Sequence, residues 1–326
     1  MIDLKYHRGS NMKVVKKIIK IIVIILLIFA IIFVLNYARI SIHYQINKKN
    51  YEEAFPVVGN TDHYVPQGLC YSNKYNLVLQ TSYNGDHKVS ELFVIDFNTK
   101  ELLKTLELKN VDGTDQTHHV GGIATDNQTV WITNDYEVEE YSLEEIINTT
   151  ANQIKSTRTT PLSIRGDFCT IYDGKLWIGD FYLKPFYDVP DGNPLLLGYS
   201  LNQAIDYNDP EVIISLPKMI QGLTFNEKGE FVFTDSFTYL ILSNFTIYEN
   251  VLNSPTDETI NFNGKEIPYY HLTKENLIQK IKMPPMAEGL FYLDGSYYIL
   301  FENSTDYYQM ALPKMKSVIQ YKTDKK

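Results

Sequence analysis

The sequence predicts an all-β protein, a β-propeller of five blades, preceded by a single N-terminal transmembrane helix. Three observations carry that prediction: an unbroken apolar run near the N-terminus, a hairpin pattern that recurs five times, and a near-constant spacing inside each copy. Composition agrees. The 326 residues are 44% hydrophobic and 13% aromatic, too apolar for a disordered chain and enough for one large domain.

The anchor comes first. Ile21 to Leu35 reads IIVIILLIFAIIFVL without a polar residue. The stretch from Ile18 to Ile40 is long enough to cross about 30 Å of hydrocarbon as a helix. Lys13, Lys16, Lys17 and Lys20 crowd its N-terminal side, which places the N-terminus in the cytoplasm and the following body outside the membrane. No small-x-small site follows Leu35, so the segment reads as an uncleaved signal anchor, with a cleaved signal peptide as the alternative. Arg8-Gly9-Ser10 ahead of Met12 also reads as an encoded ribosome-binding sequence, which favours Met12 as the start of a bacterial protein. The expected division is 1–17 cytoplasmic, 18–40 membrane, 41–59 linker with a ring-closing strand, and 60–326 propeller.

Charge divides the chain in the same way. Residues 1–50 carry nine Lys and Arg against one acid, and the remainder 21 against 38. An acidic body repels phosphate backbones, so nucleic acid is excluded as a partner. Cys70 and Cys169 hold equivalent places in two units and are expected as separate buried thiols.

The five units read QGLCYSNKYNLVLQT from Gln67, GGIATDNQTVWITN from Gly121, GDFCTIYDGKLWIGD from Gly166, QGLTFNEKGEFVFTD from Gln221 and EGLFYLDGSYYILFE from Glu288. Each is two short runs of β-branched and aromatic residues around a turn rich in Asn, Asp and Gly, the pattern of a β-hairpin. The second position is Gly in four units and Asp in one; Gly there fits close packing at a crowded axis. Third strands are expected at Glu91–Phe97, Glu137–Leu143, Leu195–Leu201, Thr238–Leu242 and Ser317–Lys322. Fourth strands are expected at Leu102–Leu108, Val212–Leu216 and Leu277–Ile281. The last unit lacks one, and Tyr51–Val58 is available to close the ring. Asn253–His271 reads as a loop insertion, with a degenerate sixth blade as the alternative.

First strands line a propeller's channel, so the unit heads and hairpin ends define the candidate site. The metal-ligating candidates are Glu288, Asp180, Asp235 and Asn134, hard oxygen donors that suit Ca²⁺ as a cofactor. Strand-end capping is the plainer role for Asp180 and Asp235. The ligand-binding candidates are Gln67, Gln221, Arg165 and His118, with His119 as a general base. Trp131 and Trp177 share a blade position and are expected in the core. Tyr182, Tyr187, Tyr207, Tyr269, Tyr270, Tyr307 and Tyr308 are expected on strand faces or at a ligand rim. There is no G-x-S-x-G, C-x-x-C or Gly-rich phosphate loop.

YVPQGLCY with LFVIDFNTKELLKTLEL resembles the opening blade of plant-type glutaminyl cyclases, five-bladed propellers that cyclise N-terminal glutamine. That resemblance implies a ligand role for Gln67. VPQGL, HVGGIA, DGKLWIGDFY, IQGLTF and MPPMAEGLFY with LFENS resemble a group of uncharacterised secreted or membrane-anchored bacterial propellers, which implies fold and location. Glu288-Gly289-Leu290 is similar to a strand of the paraoxonase, strictosidine-synthase and gluconolactonase propellers, which implies a channel Ca²⁺. The expected function is a membrane-anchored module outside the cytoplasm that binds a small molecule, cell-wall component or protein in the channel or at its rim. A Ca²⁺-dependent hydrolase or lactonase and a glutaminyl-cyclase-like acyl transfer, with Glu288 or Asp180 moving a proton, are the alternatives.

Overall fold

Each unit folds into a hairpin because its turn residues tolerate left-handed backbone. Asp173-Gly174 has φ of 50° and 66°, and Asp294-Gly295 has 48° and 74°. Two consecutive positive-φ residues match the twist of the flanking strands. In the computed structural model, which describes residues 5–189 and 192–323, these hairpins are the inner strands of five sheets.

The chain begins with helix α1 (Lys5–Asn47), and strand β1 (Glu52–Pro56) follows. The first blade is β2 (Tyr64–Ser72), β3 (Leu77–Asn84), β4 (Glu91–Asp96) and β5 (Leu102–Lys109). The second is β6 (Gly122–Thr125), β7 (Thr129–Asn134) and β8 (Glu137–Ser142). A short helix α2 (Leu143–Asn148) follows. Strand β9 (Gln153–Lys155) then adds parallel to β5, before β10 (Arg158–Pro161) completes the second blade. The third blade is β11 (Phe168–Tyr172), β12 (Lys175–Gly179), β13 (Leu195–Ser200) and β14 (Val212–Ser215). The fourth is β15 (Ile220–Phe225), β16 (Phe231–Asp235) and β17 (Ser243–Tyr248). A hairpin of β18 (Thr259–Phe262) and β19 (Lys265–His271) intervenes before β20 (Leu277–Met283). The fifth is β21 (Ala287–Leu293), β22 (Ser296–Phe301) and β23 (Ser317–Tyr321). Strand β1 pairs antiparallel with β23, Glu52 opposite Gln320 and Pro56 opposite Ser317, and so closes the ring.

Five apolar seams hold the blades together, one between each neighbouring pair. Trp131 lies in the seam of the second and third blades and Trp177 in that of the third and fourth; both are core residues. The seam of the fifth and first blades joins Phe55 of β1 to Leu69, Val78 and Val318. At the axis the first strands touch backbone to backbone. A Cβ on Gly289 would stand 2.6 Å from the Leu69 nitrogen, and one on Gly222 2.6 Å from the Glu288 carbonyl. Only glycine permits that approach. Threonines stitch such junctions too: Thr234 donates to the Glu288 carbonyl at 2.6 Å between the fourth and fifth blades, and Thr81 to the Val120 carbonyl at 2.9 Å between the first and second.

Three expectations are corrected. The third strand of the fourth blade is Ser243–Tyr248, not Thr238–Leu242. Phe245 and Ile247 fill the seam with the fifth blade, whereas Ile241 is exposed in a loop at the channel mouth. The stretch Asn253–His271 is not an open loop. Its hairpin lies on the third blade, β19 parallel to β14, with Ile267 and Tyr269 buried there; among the described residues there is no sixth sheet. The helix also runs past residue 40 to Asn47, because Ile40 is buried and Tyr44 packs on the seam of the fourth and fifth blades. The first four residues of the expected cytoplasmic segment lie outside the described residues.

Candidate ligand-binding site at the channel mouth

The central channel is a blind cup. Around the axis the glycines and first-strand residues leave only about 10 Å³. Above that constriction, where β2, β15 and β21 begin and β16 and β22 end, a cup of about 170 Å³ opens. Its polar lining is Gln67, His119, Arg165, Asp167, Gln221 and Glu302. Tyr83, Phe181, Tyr187, Phe237 and Tyr308 form its aromatic wall.

Glu302 follows β22 and is buried. Gln67 Nε2 donates to its Oε2 at 2.9 Å, and its carboxyl also bonds Tyr308 and Glu288. Burial pushes Glu302 up to about 7. Glu288 lies just beneath the lining, where Gln221 Nε2 donates to its Oε1 at 3.2 Å and Ser236 Oγ at 3.4 Å. Burial, with the Glu302 charge beside it, holds Glu288 well above the ordinary carboxylate range. Two hydrogen-bonded carboxyls in one dry site retain a proton between them at neutral pH.

The opposite side of the cup is built on Arg165. Its Nε is 3.1 Å from Asp167 Oδ1, Nη2 is 3.4 Å from Asp135 Oδ1, and the guanidinium lies 4.9 Å from the Tyr187 ring centre. The Phe181 amide donates to Asp167 Oδ2 at 2.7 Å. Burial nevertheless pushes Asp167 up to about 7, Arg165 opposing the rise. His119 is half-buried with its ring against Tyr83, centroids 4.6 Å apart. Burial and the Arg165 charge lower it to about 4, so it is neutral at physiological pH and a weaker base than a free imidazole.

Of the sequence candidates, Gln67, Gln221, Arg165 and His119 line the cup, and Glu288 backs it. The others do not meet there. His118 is exposed and its Nδ1 is 3.5 Å from Asp135 Oδ2. Asn134 is buried at the end of β7. Asp235 bonds Asn244 on the neighbouring strand. Asp180 accepts from the Leu195 amide at 3.4 Å, and burial with the Asp167 charge pushes it up to about 8. Among the described residues no three His, Cys, Asp or Glu side chains converge as metal ligands. Tyr187 and Tyr308 reach the cup, whereas Tyr207 and Tyr269 are core residues.

Sequence reasoning placed Glu302 at the channel mouth as a hairpin end without giving it a role, and missed Asp167, Phe181, Phe237 and Tyr83 as lining residues. Asp167 had a signal, since it is the one non-glycine at the axis position of the repeat. Phe181 and Phe237 lie one and two residues past hairpin ends and carry no motif of their own.

No protein-family profile matches the chain, and no curated protein matches it. Solved structures do. The Myxococcus xanthus glutaminyl cyclase aligns over 82% of this chain and 91% of its own, at 10% identity and a TM-score of 0.47. The PQQ-bound aldose sugar dehydrogenase of Streptomyces coelicolor aligns over 77% and 76%, at 12% identity and a TM-score of 0.46. A WD40 propeller domain of Doa1 aligns over 84% and 98%, at 9% identity and 0.41. These likenesses concern the propeller fold alone.

Proposed function

We propose that this protein is a membrane-anchored binding module, held outside the cytoplasm, whose cup takes a small polar ligand carrying a protonated amine. The observation that carries this reading is the set of buried carboxyls, Glu302, Asp167 and Glu288, beneath a wall of aromatic rings. Arg165 already faces Asp167, but among the described residues no cation pairs Glu302 or Glu288; burial penalises their charges, and an ammonium supplies the compensation that water no longer does. The Phe237 ring in the wall adds cation–π attraction. At about 170 Å³ the cup has the space of about five or six waters, which limits the ligand to a small group or a chain end. The lysines ahead of the apolar run support the orientation.

The test is thermal melting of the full chain in detergent with a series of small amines and their N-acetylated counterparts. A matching amine raises Tm, and Glu302→Gln abolishes the rise. Affinity increases as pH rises through about 7, where Asp167 and Glu302 ionise. Equal stabilisation by the acetylated forms would defeat the reading. Ca²⁺ at millimolar concentration leaves Tm unchanged, and a Ca²⁺-specific rise lost in Glu288→Ala would replace the amine with a metal.

The proton shared by Glu288 and Glu302 favours a second reading, acid–base acyl transfer of the kind that cyclises an N-terminal glutamine. Ammonia release from a glutaminyl peptide, lost in Glu302→Gln, would establish it.

A further inference from the structure

The helix that anchors the propeller also fixes which way the cup faces. Its contact face recurs at helical spacing through Asn36, Tyr37, Ile40, His43 and Tyr44. Asn36 Nδ2 donates to the Leu240 carbonyl and Tyr37 Oη to the Met310 carbonyl. Ile40 is buried, and His43 Nε2 lies 3.1 Å from the Lys282 carbonyl. Leu240 and Met310 belong to the two loops, 236–242 and 302–316, that bring Phe237, Glu302 and Tyr308 to the cup. The uninterrupted apolar run ends at Leu35, one residue before the first of these contacts. The rim of the cup therefore stands at the depth where the helix enters hydrocarbon.

The rim itself is dressed for that position. Phe186, Ile241, Met310 and Leu312 are exposed on the mouth loops of the third, fourth and fifth blades. Phe186 stacks on Phe237 of the cup wall, centroids 5.8 Å apart, so apolar surface continues from the outside into the site. Farther along the helix, a cavity of about 660 Å³ between α1 and the fifth blade is lined by Lys48, Lys49, Lys314 and Lys316, with Glu53, Tyr44 and Tyr51. At 1.5 Å per residue, Tyr44 to Lys49 stand about 13–21 Å beyond Leu35, on the water side of the headgroups. Lysines there lie about a Debye length from the phosphates of an anionic surface and attract it from the water side.

We infer that the mouth face of the propeller is seated on the bilayer and that the cup draws its ligand from it, taking the amine-bearing head of a membrane lipid. The exposed apolar rim enters the interface, the lysines farther along the helix attract an anionic surface, and the head reaches the buried carboxyls without crossing bulk water. This rests on the reading of the cup as an amine site.

The experiment uses the full chain in vesicles of phosphatidylcholine and phosphatidylglycerol, with and without phosphatidylethanolamine. Tryptophan is placed at the rim in Phe186→Trp and Ile241→Trp, and on the opposite face in Leu103→Trp, with brominated acyl chains as quencher. The rim variants lose most of their added fluorescence and Leu103→Trp keeps it. Phosphatidylethanolamine raises Tm by several degrees, and Glu302→Gln removes the rise. An unquenched rim overturns the inference, whatever amine binds in solution. A quenched rim with stabilisation by soluble ethanolamine but not by the lipid also overturns it, and leaves the proposed function standing. A quenched rim with no response to either amine overturns both.

Discussion

Asp167 shows how one residue converts a packing position into a chemical one. Gly68, Gly122, Gly222 and Gly289 hold the same place in the other units and let neighbouring strands touch. The third unit instead carries a carboxyl, held by Arg165 and the Phe181 amide, into the cup. Its neighbour Asp180 has a buried Oδ1 with no hydrogen-bond partner. A carboxyl whose folded pKa is raised binds its proton more tightly in the folded than in the unfolded state. Its contribution is complete below its unfolded pKa of about 4 and is lost as pH rises. For Asp180 that loss continues up to about 8. Stability of the protein therefore falls from pH 5 to 8, and Asp180→Asn flattens the fall by up to about 1.4 kcal/mol per pH unit, read from urea denaturation. An unchanged slope would remove Asp180 as a source. The thiols are a second case. Burial pushes Cys169 up to about 12 and raises Cys70 likewise, and both are free. Neither reacts with a thiol reagent at pH 8 until the chain is unfolded.

The first strands are the most constrained elements, because each meets two others at the axis. Gly289→Ala forces a methyl against the backbone of β2, between the Leu69 nitrogen and the Gln67 carbonyl at 2.6 and 2.7 Å. Overpacking of this kind costs about 1–3 kcal/mol, and two backbone contacts set the expected loss at the upper end. Denaturation midpoints measure it, with Gly264→Ala as reference: a Cβ at that turn meets nothing within 4 Å, so only its φ of +85° is strained. A smaller loss at residue 289 than at 264 would contradict the axis contact. The outer strands tolerate more. β10 is a polar edge strand, Arg-Thr-Thr-Pro, and β9 and the β18–β19 hairpin add to blades from outside their own units.

At the scale of the whole molecule, the helix and the ring are one packed body at their junction. Ile40 is buried, and Tyr44 packs on the seam of the fourth and fifth blades, which also includes Phe245, Ile281 and Tyr321. Exposing one such side chain forfeits about 1.5–3 kcal/mol, and 1 kcal/mol moves Tm by about 2–4 °C in a domain of this size. Residues 51–326 alone, in the same detergent as the full chain, therefore melt about 3–12 °C lower in a single transition. Equal melting temperatures would mean that the helix only tethers the ring.

The amino-acid sequence by itself determined the long apolar helix, the propeller, the five units and the closing segment, because each rests on a local pattern: an apolar run, a Gly-apolar head, a turn of Asn, Asp and Gly. It also pointed to Gln67, Gln221, Arg165 and His119, which sit at or beside the heads of first strands and so reach the mouth by position alone. Tertiary structure decided the rest. Whether 238–242 or 243–248 pairs with β16 depends on which run fits the seam, since both are apolar enough for a strand. Which blade the hairpin of 259–271 joins is a matter of an outer edge far away in sequence. Glu288 and Glu302 open and end one predicted hairpin, but only its burial against Gln67, Gln221 and Tyr308 makes their carboxyls a single dry site. Nor does a local pattern report where the helix rests, and that contact sets the side of the ring on which the cup opens.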